Sequence, residues 1–278
     1  MEFRIPLGAG QVSRILLRVV ILLIVASILG RLTLAYLPDF PGVGFFQVEF
    51  YLDEEGNVPA LYSALAMAIA ALLLLTIGKL EQNIQAHYYR SWKMLSGIFL
   101  YLSMDELLGF HEYLNALRRV GLRGAFFYAW VIPAALIMVA LCCIFYRFLI
   151  SLNPKVRNRI VLSGAIFLTG AIGFEMLGSG IDERLGEPAI FTNLSYQVYM
   201  TLEEGLEMLG IVTFIHSLLS YLNQYHNVRE MMIYLPMHQH YGQAHPAAQI
   251  QRTESLRTES TFCRSHREHL ADRPRLKE

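Results

Sequence analysis

Charge is what this chain has least of. Only 17% of its 278 residues are Asp, Glu, Lys or Arg, while 54% are hydrophobic and the mean hydropathy is +0.38. Water-soluble domains carry about a quarter charged residues, so a soluble globular protein is excluded. Cysteine is nearly as scarce: Cys142 and Cys143 are adjacent in an apolar run, Cys263 lies in a polar region, and no CxxC occurs. That excludes a disulfide framework and a thiolate-rich structural zinc site. Gly-x-Ser-x-Gly, His-Glu-x-x-His and phosphate-loop patterns are also missing, and the "GSG" at 178–180 has no lysine behind it. Lys plus Arg and Asp plus Glu balance at 23 each, so no basic excess points to nucleic acid.

Long apolar runs are what the chain has instead. A membrane-spanning helix needs about 20 mostly apolar residues. Six segments reach that length, 15–37, 58–78, 92–112, 126–148, 160–178 and 196–222, three of them only if acids are tolerated inside. The expected fold is an all-α polytopic bundle over residues 1–222, followed by a polar, disordered tail over 223–278. The first run follows Arg4, Arg14 and Arg18 as a secretory signal would, but it shows no small-residue cleavage pattern and is read as a retained span. Asn57 and Pro59 mark the start of the second helix, and Gly178 and Gly180 mark the expected end of the fifth.

Basic residues set the orientation. With both termini in the cytoplasm, eighteen of the 23 Lys and Arg residues fall on the inner side. Fifteen of the 23 acids, from Asp39 to Glu207, fall at or toward the outer side. Zero net charge therefore conceals an outer half with an excess of ten negative charges. A bacterial inner (plasma) membrane or a thylakoid-like membrane fits this pattern, with the acids facing the non-cytoplasmic side.

Some of those acids lie where the helices should be apolar. The third segment carries Asp105, Glu106, His111 and Glu112; the fifth carries Glu175; and the sixth, in "TLEEGLEMLG", carries Glu203, Glu204 and Glu207. At about 1.5 Å of rise per residue, Asp105 and Glu175 both sit roughly 20 Å above the inner end of their helices. Glu203 lies about 12 Å below the outer end of its own. Three helices thus bring carboxylates to one depth. Each costs about 2.5–3.5 kcal/mol on insertion scales at the bilayer centre and less toward the interface. Crowding like charges adds to that cost until protons or cations arrive.

A bound divalent cation is the expected compensation. Asp105, Glu106, His111, Glu112, Glu175, Glu203 and Glu207 are the candidate ligands, with Asp53, Glu55, Asp182 and Glu204 as a possible rim. Many hard oxygens and one imidazole suit Mn, Fe or Ca better than structural zinc. Di-iron bundles use Glu-x-x-His pairs, and none occurs here, which weighs against oxygen activation. The expected function is a metal-dependent membrane enzyme or sensor acting on a lipid or amphiphile, with no catalytic residue assigned. The alternatives are a divalent-cation or proton-coupled transporter and a structural subunit whose acids tie helices together. The inner halves of the segments offer Ser96, Thr169, Thr213 and His216 but no carboxylate, which favours a fixed site over a transport path.

Overall fold

A computed structural model describes residues 2–6, 8–36, 42–110, 121–186, 189–228 and 230–234. The described chain is a bundle of helices: α1 (Ala9–Tyr36), the short α2 (Val43–Glu49), α3 (Val58–Asn83), α4 (Tyr89–Leu108), α5 (Val131–Ser151), α6 (Pro154–Leu185) and α7 (Leu194–Tyr225). The bundle belongs to one compact unit, Arg4–Met232. A second unit takes in Met1–Phe3 and Ile233–Glu278, most of which lies outside the described residues. Strands β1 (Glu2–Pro6) and β2 (Glu230–Tyr234) pair as a two-stranded sheet, and α7 runs three residues past the expected boundary at 222.

Among the described residues, five helices are long and apolar enough by composition to cross a membrane: α1, α3, α5, α6 and α7. The expected third span, 92–112, corresponds to α4. That helix is long enough at 20 residues, but Arg90, Lys93, Asp105 and Glu106 break its apolar run. It ends at Gly109, which has a left-handed φ of 60° and donates its N–H to Asp105 O at 2.7 Å. Glycine is favoured there because a Cβ would strain the turn, and the Glu55 carboxylate packs against its open side.

The helices form where the sequence marks them. Asn57 caps α3 by accepting from Ala60 N at 3.2 Å, and Pro59 follows in the first turn. The expected stop at Gly178 and Gly180 does not occur, and α6 continues to Leu185. These glycines are packing positions: Gly178 faces the Tyr196 ring and Gly180 lies against the backbone of Gly124. Asp182 and Glu183 are consequently on a helix, about two turns beyond Glu175.

Packing places the acids. The small residues of α3 admit α4 closely, and Ser96 Oγ donates to Ala71 O and Ser103 Oγ to Ala64 O, both at 2.8 Å. The register rises along α4 as it falls along α3, so the two are antiparallel. Helices α6 and α7 also cross antiparallel, with Phe167 opposite Gly210 and Phe174 near Tyr199. Between those contacts, Thr169–Phe174 of α6 forms a π-helical segment. Such insertions shift the downstream face of a helix, and Glu175 is the next residue. Inside the π segment, a Cβ on Gly170 would come within 2.6 Å of Glu203 O and 3.0 Å of Glu207 Cγ, so only glycine lets the two acid-bearing stretches touch. Toward the C-terminal ends of α3 and α7, Leu74, Ile77, Ile215 and Leu218 are fully buried, with Trp92 and Phe148 sealing their flank.

Candidate functional site

The three acid-bearing helices meet around one cavity of about 690 Å³. Asp105 and Glu106 reach it from α4, Glu175, Asp182 and Glu183 from α6, and Glu203, Glu204 and Glu207 from α7. The loop before α3 adds Asp53, Glu54 and Glu55. Eleven carboxyl groups therefore line a single space, and among the described residues no Lys or Arg does. Every carboxylate expected at the site or its rim takes part except Glu112, which lies outside the described residues together with His111.

Donors are supplied by aromatic side chains and one amide. Trp130 Nε1 donates to Glu175 Oε1 at 2.8 Å, Tyr128 Oη to Asp182 Oδ2 at 2.9 Å, and Gly124 N to Glu183 Oε2. Asp53 Oδ2 accepts from Tyr196 Oη at 2.9 Å and from Tyr51 Oη at 3.3 Å. Arg31 of α1 stacks on Tyr51 with Cζ 3.2 Å from the ring centroid. It also acts electrostatically on Asp53. Asn57 braces the loop from below, donating to Tyr51 O at 2.6 Å as well as capping α3.

Asp53 opens onto the cavity yet is surrounded by protein. Burial and the facing Glu175 push its carboxyl up to about 7, and the Tyr196 and Tyr51 hydroxyls and Arg31 pull only partly the other way. Burial, and then the adjoining Asp53 charge, push the Tyr51 phenol up as well, so it stays a donor. Deeper in, Glu203 is 9% exposed and lines the cavity together with Glu175. Glu106 acts electrostatically on both Glu204 and Glu207, which ties α4 to the same set.

No three His, Cys, Asp or Glu side chains among the described residues converge on one point as a metal site requires. Oxygen ligands to Ca²⁺ lie within about 2.6 Å of the ion, and no three of the described acids approach a common point that closely. The metal cluster expected from the sequence is therefore not assembled in this arrangement. What the acids share is a chamber.

The aromatic lining of the cavity is not among the residues expected from the sequence. Tyr196 lies seven residues before Glu203 on the same face of α7, and "FFYAW" places Tyr128 and Trp130 just ahead of α5. Spacing could have found the first but not the second, which depends on the turn at Gly124–Phe126. His216 stands apart from the cavity, 3.0 Å from Ser13 Oγ of α1, and links two helices. A family model described as a domain of unknown function (DUF8692) matches residues 16–222. No curated protein and no solved structure matches the chain.

Proposed function

The chain belongs to the DUF8692 family, and from the cavity we propose a six-span integral membrane protein that gathers cations in the outer half of the bilayer. It does so as part of an enzyme or sensor acting on a lipid or amphiphile. The observation that carries this reading is the composition of the cavity wall, which has eleven carboxyls and no Lys or Arg among the described residues. Such a wall stays folded only when protons or external cations offset it. Helix α4 is the sixth span in this reading, because it lies antiparallel along α3 through Ser96 and Ser103 and shares its depth. Both termini face the cytoplasm by the distribution of basic residues, and the cavity opens toward the non-cytoplasmic side of a bacterial inner or thylakoid-like membrane.

Oxygen-preferring divalent ions, Mn, Fe or Ca, fit the donor chemistry. Holding one requires Glu175, Glu203 and Glu207 to turn onto a common point, a side-chain movement that relief of their repulsion would favour. Transport is the weaker alternative. Between Glu207 and Tyr221, about 20 Å along α7 at 1.5 Å per residue, the bundle interior is closed by Leu74, Ile77, Ile215 and Leu218.

The test uses the full chain in lipid nanodiscs, with elemental analysis after gentle purification and Mn²⁺ or Ca²⁺ titration. Stoichiometric metal, lost in Glu175→Gln and Glu203→Gln, is expected. Neither retained nor titratable metal would overturn the divalent-ion reading. Cation flux in proteoliposomes would replace the fixed site with a transporter.

A further inference from the structure

A second, apolar pocket of about 210 Å³ lies directly beneath the carboxylate cavity. It is enclosed by α3, α4, α5, α6 and α7, and Met67, Leu102 and Phe167 line both spaces. Packing is incomplete on one side of it. Over its 21 residues α5 buries only Val131, Phe145 and Phe148, and Pro154–Leu168 of α6 buries only Val156 and Ser163. We propose that this pocket seats the alkyl chain of a single-chain amphiphile whose ammonium headgroup lies in the carboxylate cavity. The proposal deepens the cation-binding reading and rests on it.

Three observations select this occupant. The headgroup must be positive, because an anionic or neutral one would meet carboxylates with no Lys or Arg among the described lining residues. It is better an organic cation than a bare ion, because the acids do not converge on a point and the 690 Å³ chamber has the size of a small-molecule site. Tyr51, Phe127, Tyr128, Trp130, Phe191 and Tyr196 line that chamber, and aromatic faces among carboxylates are the surroundings that ammonium groups prefer. The chain then has an apolar exit past Met67, Leu102 and Phe167, into a pocket with room for a single alkyl chain. Lipid reaches it sideways, past the sparsely packed α5, so the ligand need not cross the bundle.

The proposal is tested on the full chain in nanodiscs with radiolabelled alkyltrimethylammonium ions, from tetramethyl- to dodecyltrimethylammonium, after subtraction of empty nanodiscs. Affinity should rise about fourfold per added methylene until the pocket is full, since burying a methylene contributes about 0.8 kcal/mol. Gly164 lines the pocket, and a Cβ there meets nothing within 4 Å, so Gly164→Leu fits the fold while filling the space. It should flatten the chain-length dependence and leave tetramethylammonium and Mn²⁺ binding intact. Glu203→Gln should weaken every member of the series. Affinity independent of chain length, with tetramethylammonium or Mn²⁺ still bound, would overturn the chain subsite and leave the cation reading standing. Unaltered length dependence in Gly164→Leu would also overturn it. Failure of every cation, Mn²⁺ included, would overturn both.

Discussion

Glu81 and Glu203 are equally buried, each 9% exposed, and they sit at opposite ends of the bundle. Glu81, near the C-terminal end of α3, has Oε1 2.6 Å from the donating Tyr221 hydroxyl and 2.9 Å from His226 Nε2. The rings of Trp92 and Tyr225 close over Tyr221 at 5.0 and 4.7 Å. Glu203, in the N-terminal half of α7, lines the wall of an open chamber together with another carboxyl, Glu175. Burial of an acid therefore does not by itself mark a functional site. A lone acid supplied with two donors ties helices together, whereas acids massed against one another leave a charge that something else must meet.

The sharpest way to break this contrast is to neutralise each end in turn. Glu175→Gln with Glu203→Gln should abolish stabilisation by divalent or ammonium ions. That stabilisation is expected to reach about 2.7 kcal/mol in the wild type when the ion is at 100 times its Kd, and it is read from thermal unfolding in nanodiscs. Glu81→Ala should leave ion binding unchanged and cost about 2 kcal/mol, because the Tyr221 hydroxyl loses its buried acceptor. Equal loss of ion binding from both variants would erase the distinction.

Two glycines sharpen it next. Gly170→Ala and Gly210→Ala both force α6 from α7, with Cβ approaches of 2.6 Å to Glu203 O and 2.8 Å to Phe167 Cβ. Each should cost about 1–2 kcal/mol by overpacking. Only Gly170→Ala displaces Glu203 and Glu207, so ion affinity should fall in that variant and hold in Gly210→Ala.

Another effect is on pH. Asp53 is held up to about 7 in the fold against an ordinary value of 3.8. The folded state therefore binds the extra proton between those values. Without added cations, stability should decline as pH rises from about 4 to about 7 and level off above. Cation affinity should move oppositely, weakening by at most about tenfold per unit as pH falls below 7, since one proton competes. Tyr196→Phe removes a donor to the ionised form and should move that onset upward. A titration curve unaltered in Asp53→Asn would remove Asp53 from the account.

Much of this was legible in the chain. Sparse charge and long apolar runs give the membrane class, Asn57 with Pro59 gives the start of α3, and helical rise puts Asp105, Glu175 and Glu203 at one depth. Other features were not. The glycines at 178 and 180 look like a stop because residue identity does not reveal whether a glycine turns the chain or admits a neighbour, and here they admit Tyr196 and Gly124.

Composition and periodicity act along single helices, so the sequence alone determined that this protein is helical, apolar and acidic toward one side. Whether those acids would close on an ion or stand apart around a chamber depends on how near the helices come. Only the tertiary structure decided that, through Gly170 against Glu203, the π segment ahead of Glu175, and the aromatic donors brought in from distant loops. Packing distances are set jointly by residues far apart in the chain, and no local pattern carries them.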